Sequence, residues 1–81
     1  SMAMYRLAHA HREAGNWSQA QPLFEEVIKL ATRRLETDKS EPRWKLLHGL
    51  AASYGAMGRF DQAIPLYEES LKLERAEFGP D

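Results

Sequence analysis

Residues 7–26 read LAHAHREAGNWSQAQPLFEE, and residues 50–69 read LAASYGAMGRFDQAIPLYEE. A shift of 43 positions lays one on the other without a gap and pairs Gly15 with Gly58. The same shift pairs Leu7 with Leu50, Ala8 with Ala51, Gln19 with Gln62, Ala20 with Ala63, Pro22 with Pro65 and Leu23 with Leu66. It continues through Glu25-Glu26 with Glu68-Glu69, Lys29-Leu30 with Lys72-Leu73 and Asp38 with Asp81, for 12 identities in all. Conservative pairs fill the register: Trp17 with Phe60, Phe24 with Tyr67, Ile28 with Leu71 and Leu35 with Phe78. Self-similarity at such a period is the signature of a repeat architecture, in which each unit buries its apolar face on a neighbour.

Each unit reads as two helices joined by a tight turn. Met4, Leu7, Ala8, His11 and Ala14 recur at spacings of three and four, which is one face of an α-helix. Gly15-Asn16 ends that helix, because glycine tolerates the left-handed conformation of a helix C-terminus. Ser18, with Gln21 three residues on, forms a capping-box pattern and marks the start of the second helix. Its main stripe is Ala20, Phe24, Val27, Ile28, Ala31 and Leu35. In the second unit Trp44, Leu47, Leu50, Ala51 and Tyr54 share a face, Gly58 is the stop and Asp61 the next N-cap. Ala63, Tyr67, Leu71 and Phe78 follow. Pro22 and Pro65 lie four residues past these N-caps, where a missing N–H costs only the cap's carbonyl its partner. Pro42 holds Glu41 out of helix, so the second unit begins near Arg43. The reading is an all-α domain: repeat 1 over about residues 3–37, a linker at 38–42, and repeat 2 over about 43–78.

The composition bounds the function. The chain has 81 residues, 43% hydrophobic and 28% charged, enough for one small domain. Eleven Lys and Arg stand against 12 Asp and Glu, and the resulting net charge of -1 gives no reason to expect nucleic acid as a partner. The absence of cysteine excludes a disulfide framework, a thiolate zinc site and a cysteine nucleophile, and fits a reducing, cytoplasmic setting. The longest stretch free of Asp, Glu, Lys and Arg, Leu46 to Gly58, falls short of the ~20 apolar residues that span a bilayer. Ser1-Met2 reads as the remnant of a cleaved purification tag. No glycine-rich phosphate loop, HExxH metal motif, GxSxG elbow or partnered carboxylate pair is present, so the chain does not read as an enzyme.

At Met4-x-x-Leu7-Ala8-x-x-His11 with Ala20-x-x-x-Phe24, and at Leu47-x-x-Leu50-Ala51-x-x-Tyr54 with Ala63-x-x-x-Tyr67, the chain resembles the tetratricopeptide repeat (TPR) family. His11 stands where that family has an aromatic, and the 43-residue period exceeds the usual ~34 through a longer second helix and linker. Phe78-Gly79-Pro80-Asp81 is similar to the connection in the longer TPRs of kinesin light chains and of some bacterial and fungal signalling proteins. The resemblance implies a right-handed α-solenoid fragment of two stacked hairpins. It also implies a scaffold function, in which a peptide or helix of a partner protein lies in a concave groove lined by the first helix of each hairpin. It calls for no cofactor, nucleic acid or membrane.

The resemblance places Tyr5, His9, Arg12 and Glu13 of the first helix, and Lys45, His48, Ala52 and Gly55 of the third, along that groove. Tyr5 and the histidines would touch the partner while Arg12 and Lys45 attract its carboxylates; the alternative is a plain solvated face. Tyr5 and His9 occupy positions where chaperone-binding TPRs carry the Lys and Asn that clamp a terminal carboxylate, so no such clamp is expected. His9 and His11 point to different sides of their helix, and His9 with His48 supplies only two ligands, which argues against a metal site. His11 reads as a core substitute for Tyr. Gly49 and Gly55, inside a helix, either admit a closely packed neighbour, the preferred reading, or keep the groove floor shallow.

A second stripe runs beside the first. Leu23 and Leu30 flank the main stripe of their helix and are expected to meet the second unit, whereas their equivalents Leu66 and Leu73, with Ile64, have no expected neighbour. No polar cap follows Phe78. The alternative function is therefore self-assembly, as a homodimer or within a longer array, through Ile64, Leu66, Leu73 and Phe78.

Overall fold

A computed structural model describes residues 2–79; Ser1, and Pro80 and Asp81 at the expected connection, lie outside the described residues. Four helices follow one another: α1 (Met2–Glu13), α2 (Trp17–Thr37), α3 (Arg43–Ala56) and α4 (Phe60–Phe78). Each packs on the next, so α1 with α2 and α3 with α4 are hairpins, and α2 against α3 joins them. Among the described residues no helix is long and apolar enough to cross a membrane.

The two turns are built alike. Gly15 and Gly58 have φ of 82° and 76°, open to glycine at little cost. The N–H of Asn16 then reaches back to the His11 carbonyl at 2.7 Å, and that of Arg59 to the Tyr54 carbonyl at 2.9 Å. The glycine N–H groups donate to Arg12 and Gly55, at 3.1 and 3.0 Å, which completes a Schellman closure at each site.

The start of α2 and α4 differs from the expected caps. Ser18 and Asp61 lie inside their helices, which begin one residue earlier, at Trp17 and Phe60. The N-caps are Asn16 and Arg59, with no side-chain cap hydrogen bond. The tightness of the turn is the reason. The residue whose N–H closes one helix immediately opens the next with its carbonyl, which accepts from Gln19 and Ala20 after Asn16, and from Gln62 and Ala63 after Arg59. The carbonyls that lose a regular partner to Pro22 and Pro65 are accordingly those of Ser18 and Asp61, in the exposed first turn rather than at the cap.

Between the hairpins, Asp38 caps α2 through its N–H to the Arg34 carbonyl at 2.8 Å. The hydroxyl and the backbone N–H of Ser40 both donate to the Asp38 carboxylate and hold it below the usual carboxylate range. Pro42 serves as the N-cap of α3.

Ala8, Ala20 and Phe24 are fully buried together, with Tyr5, Leu23, Ala56 and Met57 packed around them. Leu46, Leu47, Leu50, Ala51 and Ala63 carry the burial through the second hairpin. Two buried hydroxyls have partners: Ser53 donates to the Gly49 carbonyl at 3.1 Å and Ser70 to the Trp44 carbonyl at 2.9 Å. Trp44 is fastened further to the end of α4, by its indole N–H on Glu77 at 2.7 Å and by an edge contact with Phe78 at 5.7 Å.

Several expected core positions are bare. Leu7 and Ala14 of α1 are exposed, as are Tyr67, Leu71 and Phe78 of α4. Leu66 and Leu73, expected without a neighbour, are half-buried, and Ser70 between them is buried against the start of α3. Leu23 likewise packs into its own hairpin rather than only onto the second unit. In α4 the flanking Leu66 and Leu73 are thus more covered than Leu71 and Phe78 of the main stripe, whose first residue, Ala63, is buried. A helical wheel gives the angle between two stripes but not which neighbour each one meets.

The glycines of α3 are not forced by close packing. A Cβ at Gly49 would meet nothing within 4 Å, and one at Gly55 would make an ordinary 3.9 Å contact with the Ala63 Cβ. Gly49→Ala should therefore raise stability by about 1 kcal/mol. Gly58→Ala, at positive φ, should lower it by about 1 kcal/mol. Urea unfolding followed by circular dichroism reads both, and destabilisation by Gly49→Ala would refute the assignment of free space there.

Candidate partner-binding groove

Tyr5 and His9 stand one turn apart on α1, with ring centroids 6.2 Å apart. Tyr5 is half-buried because its ring meets the buried Phe24 edge-on, at 5.8 Å and 71°. One repeat later His48 occupies the position of Tyr5 and Tyr67 that of Phe24, and these rings meet in the same way, at 5.5 Å and 75°. The same aromatic contact in both hairpins comes from the register itself: the first helix of each unit places a ring three residues before its small residue, Ala8 or Ala51, and the second helix one four residues after its own, Ala20 or Ala63. Edge-on pairs of this kind add about 0.5–1.5 kcal/mol beyond the area they bury.

The remaining expected groove residues fall on the same faces. His9, Arg12 and Glu13 are exposed at the end of α1; Lys45 and His48 are exposed, and Ala52 and Gly55 half-buried, along α3. Glu13 is engaged from two sides, since Arg12 Nη1 lies 3.0 Å and His9 Nε2 3.9 Å from its Oε1. Arg12 is therefore already partnered, and Lys45 is the more open of the two expected cations. As an exposed pair, Arg12 and Glu13 contribute little to stability. His11 is not a core residue in place of Tyr: it is half-buried, and its Nδ1 lies 3.4 Å from Asn16 Nδ2 at the turn. Among the described residues no three His, Asp or Glu side chains gather as metal ligands would.

Tyr67 joins this surface from α4, a residue that the sequence reading assigned to the core. The signal was present in the register, because a ring at position 48 opposite one at 67 repeats the pair 5 and 24. Burial raises the Tyr67 phenol above its ordinary value and the Tyr5 phenol raises it further, so the two hydroxyls sense one another. A phenol whose pKa is higher in the folded than in the unfolded chain stabilises the fold at lower pH, and that contribution is lost as pH rises past about 10. The melting temperature of the unmodified chain should fall more steeply through this alkaline range than that of Tyr67→Phe; parallel curves for the two would show that Tyr67 is not the group responsible.

A family model described as tetratricopeptide repeat matches residues 1–73. No curated protein and no solved structure gives a match. With nearly the whole length matched and two hairpins related by a fixed register, the chain belongs to the tetratricopeptide repeat family.

Proposed function

We propose that the chain binds a segment of a partner protein along the surface that Tyr5, His9, Lys45 and His48 share, with Ala52 and Gly55 as its shallow floor and Arg12 and Glu13 at its edge. Tetratricopeptide repeats are protein–protein interaction modules. The observation that carries the reading is the repeated ring contact, Tyr5 on Phe24 and His48 on Tyr67, which presents an aromatic edge at the same place in each unit. Preset aromatic side chains bury large area on binding at small conformational cost. Lys45 adds positive charge and the histidines hydrogen-bonding ring nitrogens, so the fitting segment carries an apolar anchor with Asp or Glu beside it. Such binding asks for no chemistry and no cofactor. The 43-residue period is our ground for relating the chain to longer repeats of the kinesin-light-chain kind.

A second reading is self-association, favoured by the bare apolar face of α4, where Ile64, Leu71 and Phe78 are exposed together.

An array of acidic and apolar peptides is a sufficient probe for the first reading. Peptides with an apolar residue flanked by carboxylates should be retained, and Lys45→Glu and His48→Ala, both at exposed positions, should each weaken them about tenfold, or 1.4 kcal/mol. Unchanged affinity in both variants, with helicity intact, would refute the assignment of the groove.

A further inference from the structure

The two hairpins share their turn closures and one ring contact in the same register, so a residue buried in one and bare in the other points to a contact made between hairpins. On the first helix of each unit, Leu50 is 6% exposed and its equivalent Leu7 50%. Leu46 and Ser53 are buried, and their equivalents Ala3 and Ala10 are exposed. On the second helix the imbalance runs the other way. Phe24 is fully buried and its equivalent Tyr67 is 39% exposed; Gln21, Ile28 and Leu35 are half-buried, and Ile64, Leu71 and Phe78 are exposed. The buried members are those that α2 and α3 bring together. The bare members are the same two faces, one on α1 and the other on α4.

From this we infer that copies of the chain associate head to tail, with the α4 face of one copy (Tyr67, Leu71 and Phe78) seated on the α1 face (Ala3, Leu7 and Ala10) of the next. The junction repeats the contact of α2 with α3 and rests on the self-association reading given above. The internal contact fixes its direction. Ala56 and Met57 at the end of α3 pack on the cluster that Ala20 and Phe24 of α2 form with Ala8, and Leu35 lines one depression with Leu46, so α2 and α3 run antiparallel. Carried over by 43 positions, Tyr67 comes level with Glu13 and Ala14, and Phe78 with Ala3. Leu71 then enters between Leu7 and Ala10, where the small side chains of Ala3, Ala10 and Ala14 let a helix approach closely. Glu74, on the same face of α4, comes level with Arg6 and Leu7, which gives the junction one pairing of opposite charge.

This contact joins two different surfaces, and each added copy leaves one of each free. An association of α4 with α4 would instead stop at a dimer. The two are told apart by sedimentation equilibrium on the 9.3 kDa chain. The unmodified chain should gain mass with concentration beyond the dimer. Leu7→Glu and Leu71→Glu, both at exposed positions where the hairpins themselves are untouched, should each weaken association about a hundredfold by burying a charge in the junction. Mixed one to one they should give a dimer and nothing larger, because one intact face remains on each. A Leu7→Glu variant that still dimerises while Leu71→Glu does not would overturn the head-to-tail inference and leave self-association through α4 standing. An unmodified chain that stays monomeric at millimolar concentration would overturn both. Peptide binding in the groove, followed on the same variants, reports separately on that reading.

Discussion

Four alanines set the distances on which this molecule depends. Ala8 with Ala20, and Ala51 with Ala63, are buried to within 1% where the two helices of each hairpin meet. With nothing beyond Cβ between them the backbones come close, and the larger groups on either side are placed by that approach. Phe24 can then meet Tyr5, with Met57 packed on the cluster it shares with Ala8 and Ala20, and His48 can meet Tyr67. A larger residue at any of the four would move a whole helix and with it both the ring contacts of the groove and the seating of α2 on α3, because a packed interior yields only by shifting its neighbours.

The fold was legible in the sequence because its decisive features are local and occur twice. Glycine at a fixed distance from an alanine, and apolar residues at helical spacing, need no knowledge of distant contacts. The exact helix starts were less legible. Ser18 and Asp61 are good N-cap residues, but the closure of the preceding helix had already committed Asn16 and Arg59 to that role. Local preference gave way to the geometry of a turn too short to hold a separate cap.

The proposed groove rests on residues of α1 and α3 that the sequence singled out, and the structure adds the ring of Tyr67 from α4 beside His48. Tyr67 was assigned inward by its stripe, yet its half-open position depends on whether another hairpin covers it, which no residue of its own helix encodes. The same ambiguity exchanged the roles of Leu66 and Leu73 with those of Leu71 and Phe78. In a repeat architecture each second helix has two apolar neighbours, its partner and the next layer, and only the contact made in space distinguishes them.

The double duty of Asn16 and Arg59 has a consequence for how such a chain tolerates change. The turns hold little slack, since Gly15 and Asn16, like Gly58 and Arg59, donate back into the preceding helix while the carbonyls of Asn16 and Arg59 open the next. An added or deleted residue there would break both helix ends at once. The segment from Asp38 to Pro42, by contrast, joins complete hairpins and is held by side-chain contacts at its own ends. Changes of length, and cleavage by a protease that needs an extended strand, will concentrate there. The hairpin is thus the rigid unit, and the interval between hairpins is where the chain can change length.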